Sequence, residues 1–266
     1  MTSQLLKTKL YLPRCDHGAT PRPRLMRLLD EGLSARLTLV SAPAGFGKTT
    51  LLAQWLQRSG DGGPARPPVA WVSLDARDSD PGTFWSYVLT ALQSAMPHVG
   101  GQELLPLLRG SDRPPVQQVL VALLNELAVD PTDVVLVLDD YHVIESREID
   151  EAMSFLLEHA PPGLHVVLTS RSDPAMPLAR LRARRELVEV RVTDLRFTPD
   201  EAATYLIDTM GLRLQPSQVR ILERRTEGWI AALQLAALSL SKREDVDSFV
   251  SGFTGDYRYI VDYLVE

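Results

Sequence analysis

The sequence predicts an α/β fold: a parallel five-stranded sheet with helices on both faces, followed by a small all-helical domain. Three observations predict it. Short apolar runs rich in β-branched residues alternate with segments whose apolar residues recur at helical spacing. The clearest runs are continuously apolar, which is typical of strands buried on both faces of a parallel sheet. After about residue 193 no strong strand pattern follows, and the segments there carry helix-start signals.

The strand pattern occurs in five runs along the first part of the chain. These are residues 37–40, 69–74, 134–138, 165–169 and 187–192. Segments with one apolar helical face lie between them. These begin at Thr49 and cover residues 84–96, 116–127 and 149–160. Because strand and helix alternate, the connections predict crossovers between parallel strands.

The second part of the chain begins with a helix-start signal. Thr198 is placed to cap the helix, Pro199 to occupy its first position, and Glu201 to reach back to the cap. Three helices are predicted over residues 202–210, 217–225 and 227–240. The last is nearly all apolar, which predicts that it is buried.

These patterns divide the chain into three parts. We expect residues 1–194 to form the α/β domain, residues 195–241 the helical domain, and residues 242–266 the start of a further unit. The last of these ends in an amphipathic helical pattern with no stop signal. We therefore expect a piece of a longer protein, with an apolar patch that promotes self-association.

Composition excludes several classes of protein. Of 266 residues, 45% are hydrophobic and 23% charged, which excludes a mainly disordered chain. The net charge of −6 argues against nucleic-acid binding driven by overall charge. One cysteine, Cys15, excludes an intramolecular disulfide framework and is typical of a reducing cytoplasm. The sequence shows neither a signal peptide nor an apolar run long enough to span a membrane, so we expect a cytoplasmic protein.

The strongest motif is a glycine-rich loop between the first strand and the helix that follows. Residues 42–49 read APAGFGKT and match the phosphate-loop pattern G-x-x-x-x-G-K-[ST], except that Ala42 replaces the first glycine. Gly45 and Gly47 let the backbone approach phosphates, and the helix N-terminus favours an anion. Lys48 would bridge the β- and γ-phosphates, while the Thr49 hydroxyl would hold Mg²⁺.

The nucleotide-contacting residues predicted from this loop are Ala44, Gly45, Phe46, Gly47, Lys48, Thr49 and Thr50. The alternative is an ordinary strand–helix turn with a solvated lysine.

Two carboxylates follow the most apolar run. Asp139 would bind Mg²⁺ through water or through Thr49, and Asp140 is placed to orient or deprotonate an attacking water. The alternative is a pair of solvated aspartates that end a strand. The next strand should lie beside the first, so Arg171 at its end could stabilise charge at the γ-phosphate or simply pair with a surface carboxylate.

Other candidate residues carry weaker signals. Trp229 could cover a base, although core packing is the favoured interpretation. Arginines at positions 180, 182, 184 and 185 are interpreted as a solvated helix face rather than a contact with a partner's nucleotide. The histidines show no transition-metal ligand spacing.

Taken together, these motifs resemble a known family. KTKL with Pro13, RPRL, APAGFGKTTL, VVLVLDDYH, TSRSDP, LRFTPDEA and EGWIAALQLAA occur in this order. They resemble the LuxR-type, ATP-dependent transcriptional regulators of the MalT-like class, which belong to the STAND signal-transduction P-loop NTPases. The resemblance covers essentially the whole chain.

The resemblance implies roles for individual residues. It assigns Asp139 and Asp140 to the metal and the attacking water, Arg171 to the sensor position, and Arg22 to the neighbourhood of the adenine. Residues 242–266 would begin a winged-helix domain. A helical-repeat sensor for the inducer and a DNA-binding helix-turn-helix would lie beyond this sequence. The wider class often has Gly-x-Pro in its helical domain, and residues 228–230 lack that proline.

Three functional hypotheses follow. The first is a regulatory switch in which ATP or ADP, with Mg²⁺, controls self-assembly and slow ATP hydrolysis resets the protein. The second is a metabolic or ring-type P-loop ATPase or kinase with steady turnover. The third is a lapsed nucleotide domain that serves only as an interaction module; Lys48, Thr49 and Asp139 argue against it, while Ala42 leaves it open.

Overall fold

The computed structural model describes residues 5–15, 20–58, 66–109, 114–241 and 245–253. A single parallel sheet forms the centre, in the order β2-β3-β4-β1-β5. Its strands are β1 (Leu37–Ser41), β2 (Val69–Ser73), β3 (Val134–Asp139), β4 (Leu164–Ser170) and β5 (Leu187–Val190). Strand β4 therefore lies between β1 and β3, which brings the ends of these three strands to one edge of the sheet.

The helices of the α/β part flank this sheet. They are α1 (Pro23–Gly32), α2 (Lys48–Gln57), α3 (Pro81–Ala95), α4 (Gly101–Arg109), α5 (Val116–Val129), α6 (Arg147–His159), α7 (Leu178–Ala183) and α8 (Val192–Leu195). The helical part contains α9 (Pro199–Ala203), a π-helix (Thr204–Thr209), α10 (Pro216–Thr226), α11 (Ile230–Leu240) and α12 (Val246–Gly252).

The two faces of the sheet bury separate apolar layers. Leu37 and Leu39 of β1 belong to one buried cluster, whereas Val40 of the same strand belongs to the other. Successive strand residues point to opposite faces, so these clusters lie on the two sides of the sheet. A third cluster, from Phe197 to Val250, forms the core of the helical part.

All five predicted strands are present, and β1 pairs with β4 as expected. Strand β5 ends earlier than predicted because Val192 already begins helix α8. The predicted helix over residues 227–240 begins only at Ile230. The reason is that Glu227 and Gly228 take left-handed backbone conformations (φ 50° and 68°), which end α10 and separate the two helices.

Two other features differ from the sequence prediction. Helices α1, α4 and α7 lie outside the predicted helices, although Pro23 at the first position of α1 is a typical start signal. The predicted helix over residues 202–210 is divided between α9 and the π-helix. The end of the predicted third unit, residues 254–266, lies outside the described residues.

A buried ion pair joins the start of α1 to the helical part. Arg22 donates to a carboxylate oxygen of Glu201 at 3.1 Å and to the carbonyl of Arg196 at 2.8 Å. Arg24 adds a second bond to Glu201 at 3.2 Å. The guanidinium of Arg22 also lies 4.5 Å from the centre of the Phe197 ring. The side chains of Arg22 and Glu201 are only 5% and 10% exposed, so this contact is shielded from solvent.

The helices of the described ranges include none that is both long and apolar enough to cross a lipid bilayer.

We predict that Glu201→Gln lowers the free energy of unfolding by about 3 kcal/mol, because it leaves the buried Arg22 without its counter-charge. Burial alone would raise the pKa of Glu201, but hydrogen bonds from the Thr198 backbone and Arg22 outweigh it and lower that pKa. The stabilisation is therefore present at neutral pH and is lost as the pH falls through the lowered pKa. Urea unfolding at pH 7 measures the change.

The matched control is Glu151→Gln. Glu151 pairs with Arg147 on the solvent face of α6, where the two side chains are 60% and 92% exposed. This substitution should change stability by less than about 0.5 kcal/mol. Equal effects at the two positions would contradict the assignment of a stabilising buried pair.

Candidate functional site

The loop between β1 and α2 has the backbone shape of an anion cradle. Gly45 and Gly47 have φ values of 75° and 72°, in the left-handed region that glycine adopts without strain. Gly47 caps α2, and its carbonyl accepts the first helical hydrogen bond from Leu51 at 2.8 Å. The free N–H groups at the start of α2 therefore face the loop, where they favour a phosphate.

Lys48 is held inside this loop. Its ammonium donates to the carbonyls of Ala42 at 2.9 Å and Pro43 at 3.1 Å, and the residue is 7% exposed. Burial lowers the pKa of Lys48, and the nearby carboxylates of Asp140 and Asp139 partly oppose that shift. A buried ammonium needs more negative charge than two carbonyls provide, so phosphate oxygens suit this position.

Asp139, the last residue of β3, is held by two threonines. Thr49 donates to its carboxylate at 2.9 Å, and Thr169 at the end of β4 donates at 2.6 Å. Burial raises the pKa of Asp139, while these hydroxyls act in the opposite direction. A hydroxyl and a carboxylate oxygen in contact are hard donors of the kind Mg²⁺ prefers. Thr49 and Asp139 therefore fit a Mg²⁺ ion, whose remaining coordination positions would be left for water and phosphate oxygens.

Thr169 is a site residue that the sequence analysis does not assign. Its hydroxyl donates to Asp139 and accepts from the backbone N–H of Asp140 at 2.7 Å, so it joins β4 to the end of β3. The only signal for Thr169 in the sequence is its position near the end of a predicted strand. The carboxyl ends of adjacent parallel strands meet at one edge, and Thr169 is one of two hydroxyl residues, with Ser170, that end the strand next to β3.

Asp140 and Arg171 lie at the same edge. Asp140 has a left-handed backbone (φ 60°, ψ 41°), and its side chain is 45% exposed. Arg171 follows β4 directly and is exposed to solvent, yet its charge helps lower the pKa of Lys48. The structure thus brings five of the predicted site residues to the same edge of the sheet: Lys48, Thr49, Asp139, Asp140 and Arg171.

A cavity of about 440 Å³ opens beside the loop, between α2 and the helical part. Its lining includes Arg22, Phe46, Thr50, Phe197, Tyr205 and Ile230. Arg22 is 4% exposed, and its Nε has no hydrogen-bond partner among the residues that the structure describes. The cavity therefore combines apolar walls with a buried donor, next to the phosphate loop.

The start of α11 packs directly on the glycine-rich loop. The backbone N–H of Ala231 donates to the carbonyl of Gly45 at 3.2 Å. The Trp229 ring stacks on Phe46, with the ring centres 6.0 Å apart. Trp229 thus packs against the loop itself, and the helical part lies over the candidate phosphate site.

Among the described residues, no group of three or more histidine, cysteine, aspartate or glutamate side chains could hold a metal ion by itself. The Mg²⁺ site described above has fewer protein ligands than that. A bound nucleotide would have to supply part of the coordination.

The chain is similar in sequence to known proteins over nearly its whole length. No protein-family model matches the chain. The HTH-type transcriptional regulator MalT of Cronobacter sakazakii is 36% identical over 266 residues, which cover 98% of this chain and 28% of that protein. The serine/threonine-protein kinase PknK of Mycobacterium tuberculosis is 35% identical over 257 residues, which cover 96% of this chain and 23% of the kinase.

A solved structure shares the fold. It is a Signal Transduction ATPase with Numerous Domains (STAND) with a tetratricopeptide repeat sensor, from Pyrococcus horikoshii. The TM-score is 0.59 at 17% identity, and the match covers 88% of this chain and 33% of the other. The chain therefore has the fold of a STAND-type P-loop NTPase, and it spans about a quarter of the length of the curated relatives it matches.

We predict different costs for alanine at the two glycines of the loop. At Gly47 the added Cβ would meet only Ile230, at 3.7 Å, so backbone strain alone should cost about 1–2 kcal/mol. At Gly45 the Cβ would also lie 2.8 Å from Ala231 Cβ and 3.0 Å from Trp229 Nε1. Gly45→Ala should therefore lower the free energy of unfolding more than Gly47→Ala. Parallel urea titrations compare them, and the reverse order would contradict the contact between α11 and the loop.

Proposed function

This chain is related to the MalT-named regulators over nearly its whole length, and we propose that it is an ATP- and ADP-binding switch module of a transcriptional regulator. The observation that carries the proposal is the arrangement at one edge of the sheet. The left-handed glycine loop, the buried Lys48 and the contact between Thr49 and Asp139 lie together there. The loop and Lys48 suit the phosphates of a nucleotide, and Thr49 with Asp139 suits its Mg²⁺ ion.

The phosphates would lie in the loop. The residues proposed to contact the nucleotide there are Ala44, Gly45, Phe46, Gly47, Lys48, Thr49 and Thr50. Phosphate oxygens would replace the carbonyls of Ala42 and Pro43 as partners of Lys48. Thr49 and Asp139 would hold Mg²⁺, which supplies charge neutralisation between the phosphates.

The base and ribose would occupy the adjacent cavity. Its volume of about 440 Å³ falls in the range of small-molecule sites. Apolar walls from Phe197 and Ile230 suit a flat base, and the spare Nε–H of Arg22 suits a ring nitrogen or a ribose oxygen. Because Arg22 also binds Glu201 and Arg196, the same side chain would link the nucleotide to the helical part.

The switch would operate through the helical part. The first turn of α11 touches the loop, so a change in the phosphates would alter the surface on which α11 lies. ADP would hold the resting form, and ATP would permit self-assembly. Asp140 would orient the attacking water and Arg171 would stabilise charge at the γ-phosphate, so that slow hydrolysis resets the protein.

Domain organisation and partners form part of the same proposal. Residues 1–194 would be the nucleotide-binding domain and residues 195–241 the helical domain. Residues 242–266 would be the start of a winged helix, whose first helix, α12, packs on the core of the helical part. DNA and inducer would be bound by other parts of a longer protein, in the cytoplasm. A P-loop enzyme with steady turnover is the competing hypothesis. The kinase activity in the name of PknK belongs to a protein of which this match covers 23%.

We predict that Lys48→Ala abolishes measurable binding of ATP and ADP in the presence of Mg²⁺, because it removes the buried cation from the phosphate loop. Titration calorimetry on the full chain measures the affinities. Lys7→Ala is the matched control, since Lys7 is exposed in the 3₁₀-helix Lys7–Leu10 and should leave binding unchanged.

A binding stoichiometry near one, with ADP at least as tight as ATP, is the expected result for a switch that rests with ADP. Equal binding by Lys48→Ala and the unmutated chain would contradict the proposed site. Fast steady-state ATP turnover by the isolated chain would instead favour the competing hypothesis, a metabolic or ring-type P-loop ATPase or kinase.

A further inference from the structure

His142 lies next to the proposed hydrolytic carboxylate, and the function proposed above gives it no role. It is the middle residue of the 3₁₀-helix Tyr141–Val143, which follows β3. The backbone N–H of Val143 donates to the carbonyl of Asp140 at 3.1 Å and closes this turn. The left-handed conformation of Asp140 starts the turn, so Asp140 and His142 are brought back towards each other.

The imidazole is close to the carboxylate but does not yet bind it. His142 Nδ1 lies 3.7 Å from Asp140 Oδ1, just beyond hydrogen-bond distance. The His142 side chain is 14% exposed, and Nδ1 is buried without a hydrogen-bond partner in the part of the chain that the structure describes. A buried ring nitrogen normally has a partner, and the nearest acidic group is Asp140.

Burial and the charged groups around His142 determine the protonation state of its imidazole. Burial lowers its pKa, Asp140 acts in the opposite direction, and Arg171 and Lys48 lower it further. The imidazole is therefore neutral at pH 7 and carries a single N–H, at either Nδ1 or Nε2. Asp140 accepts hydrogen bonds only, so an Nδ1–H tautomer satisfies both groups, whereas an Nε2–H tautomer would set a lone pair against the carboxylate.

We propose that His142 is a positioning residue, which donates its Nδ1–H to Asp140 and fixes the carboxylate for the attacking water. One carboxylate oxygen would bind His142, and the other would remain free to accept from the water. The left-handed turn at residue 140 and the half-exposed carboxylate leave that side chain in need of such a restraint. This inference rests on the proposed nucleotide hydrolysis at this site.

The tautomer of His142 tests the proposal without any hydrolysis. The full chain is labelled with ¹⁵N, and the ring nitrogens are observed by long-range ¹H–¹⁵N spectra at pH 7.5, with and without ADP and Mg²⁺. The signals of His142 are assigned by their loss in His142→Asn. The expected result is an Nδ1–H tautomer, and an Nε2–H tautomer in both states would overturn the proposal.

Asp140→Gly identifies the acceptor in the same experiment. Glycine accepts the left-handed backbone at residue 140, so this variant removes the carboxylate without strain. Loss of the acceptor should move the proton of His142 to Nε2. Persistence of Nδ1–H in Asp140→Gly would show that another group holds it and would overturn the role of Asp140.

Single-turnover ATP hydrolysis gives the functional readout. The amide nitrogen of asparagine occupies nearly the position of Nδ1, whereas that of glutamine reaches the position of Nε2. His142→Asn should therefore keep most of the rate, while His142→Gln should lose about tenfold or more. Neither should change ATP affinity, because a positioning residue does not touch the nucleotide.

The outcomes separate this inference from the function on which it rests. Equal rates for the two variants, or weaker ATP binding in both, would overturn positioning and indicate instead a structural role or a direct phosphate contact. Absence of hydrolysis in the unmutated chain would contradict the hydrolytic part of the proposed function. In that case the tautomer still decides whether His142 binds Asp140.

Discussion

The rest of the structure depends on the contact between the glycine-rich loop and the first turn of α11. The loop needs left-handed backbone at Gly45 and Gly47 to turn its N–H groups inward. That shape presents the Gly45 carbonyl to the Ala231 N–H and leaves no room for a Cβ at residue 45. The glycine-rich loop therefore forms both the proposed phosphate site and the surface on which the helical part packs.

A second contact joins the two parts of the chain. Arg22, at the start of α1, binds Glu201 of α9 and the Arg196 carbonyl, and it lines the cavity beside the loop. The helical part is therefore held at two places, and both border the space proposed for the nucleotide. A nucleotide bound there would shift the position of the helical part only if it bound the two arrangements with different affinity.

The sheet could be predicted from the sequence because its central strands β3 and β4 are largely apolar runs, and several of the intervening helices have clear apolar faces. The loop could be predicted because few residue patterns form an anion cradle. Thr169 could not, since its role depends on which strand lies beside β3. Trp229 packs against a buried cluster, in agreement with the core interpretation, but its stacking on Phe46 could not be predicted because it depends on the packing of distant segments. The left-handed conformation of Glu227 at the end of α10 could not be predicted either, because glutamate has no preference for it.

Proteins with different names contain a segment similar to this chain. One is named a transcriptional regulator and another a protein kinase, and this chain matches about a quarter of each. This segment therefore occurs in longer proteins that carry different names.

Hydrogen exchange at the Ala231 amide tests the central claim most directly. If nucleotide in the loop holds the helical part in place, ADP with Mg²⁺ should slow exchange in a peptide containing Ala231 as well as in the loop itself. A peptide from α6, away from the site, should not change. Slower exchange in the loop with no change at Ala231 would show that the nucleotide binds without engaging the helical part, and it would contradict the proposed coupling.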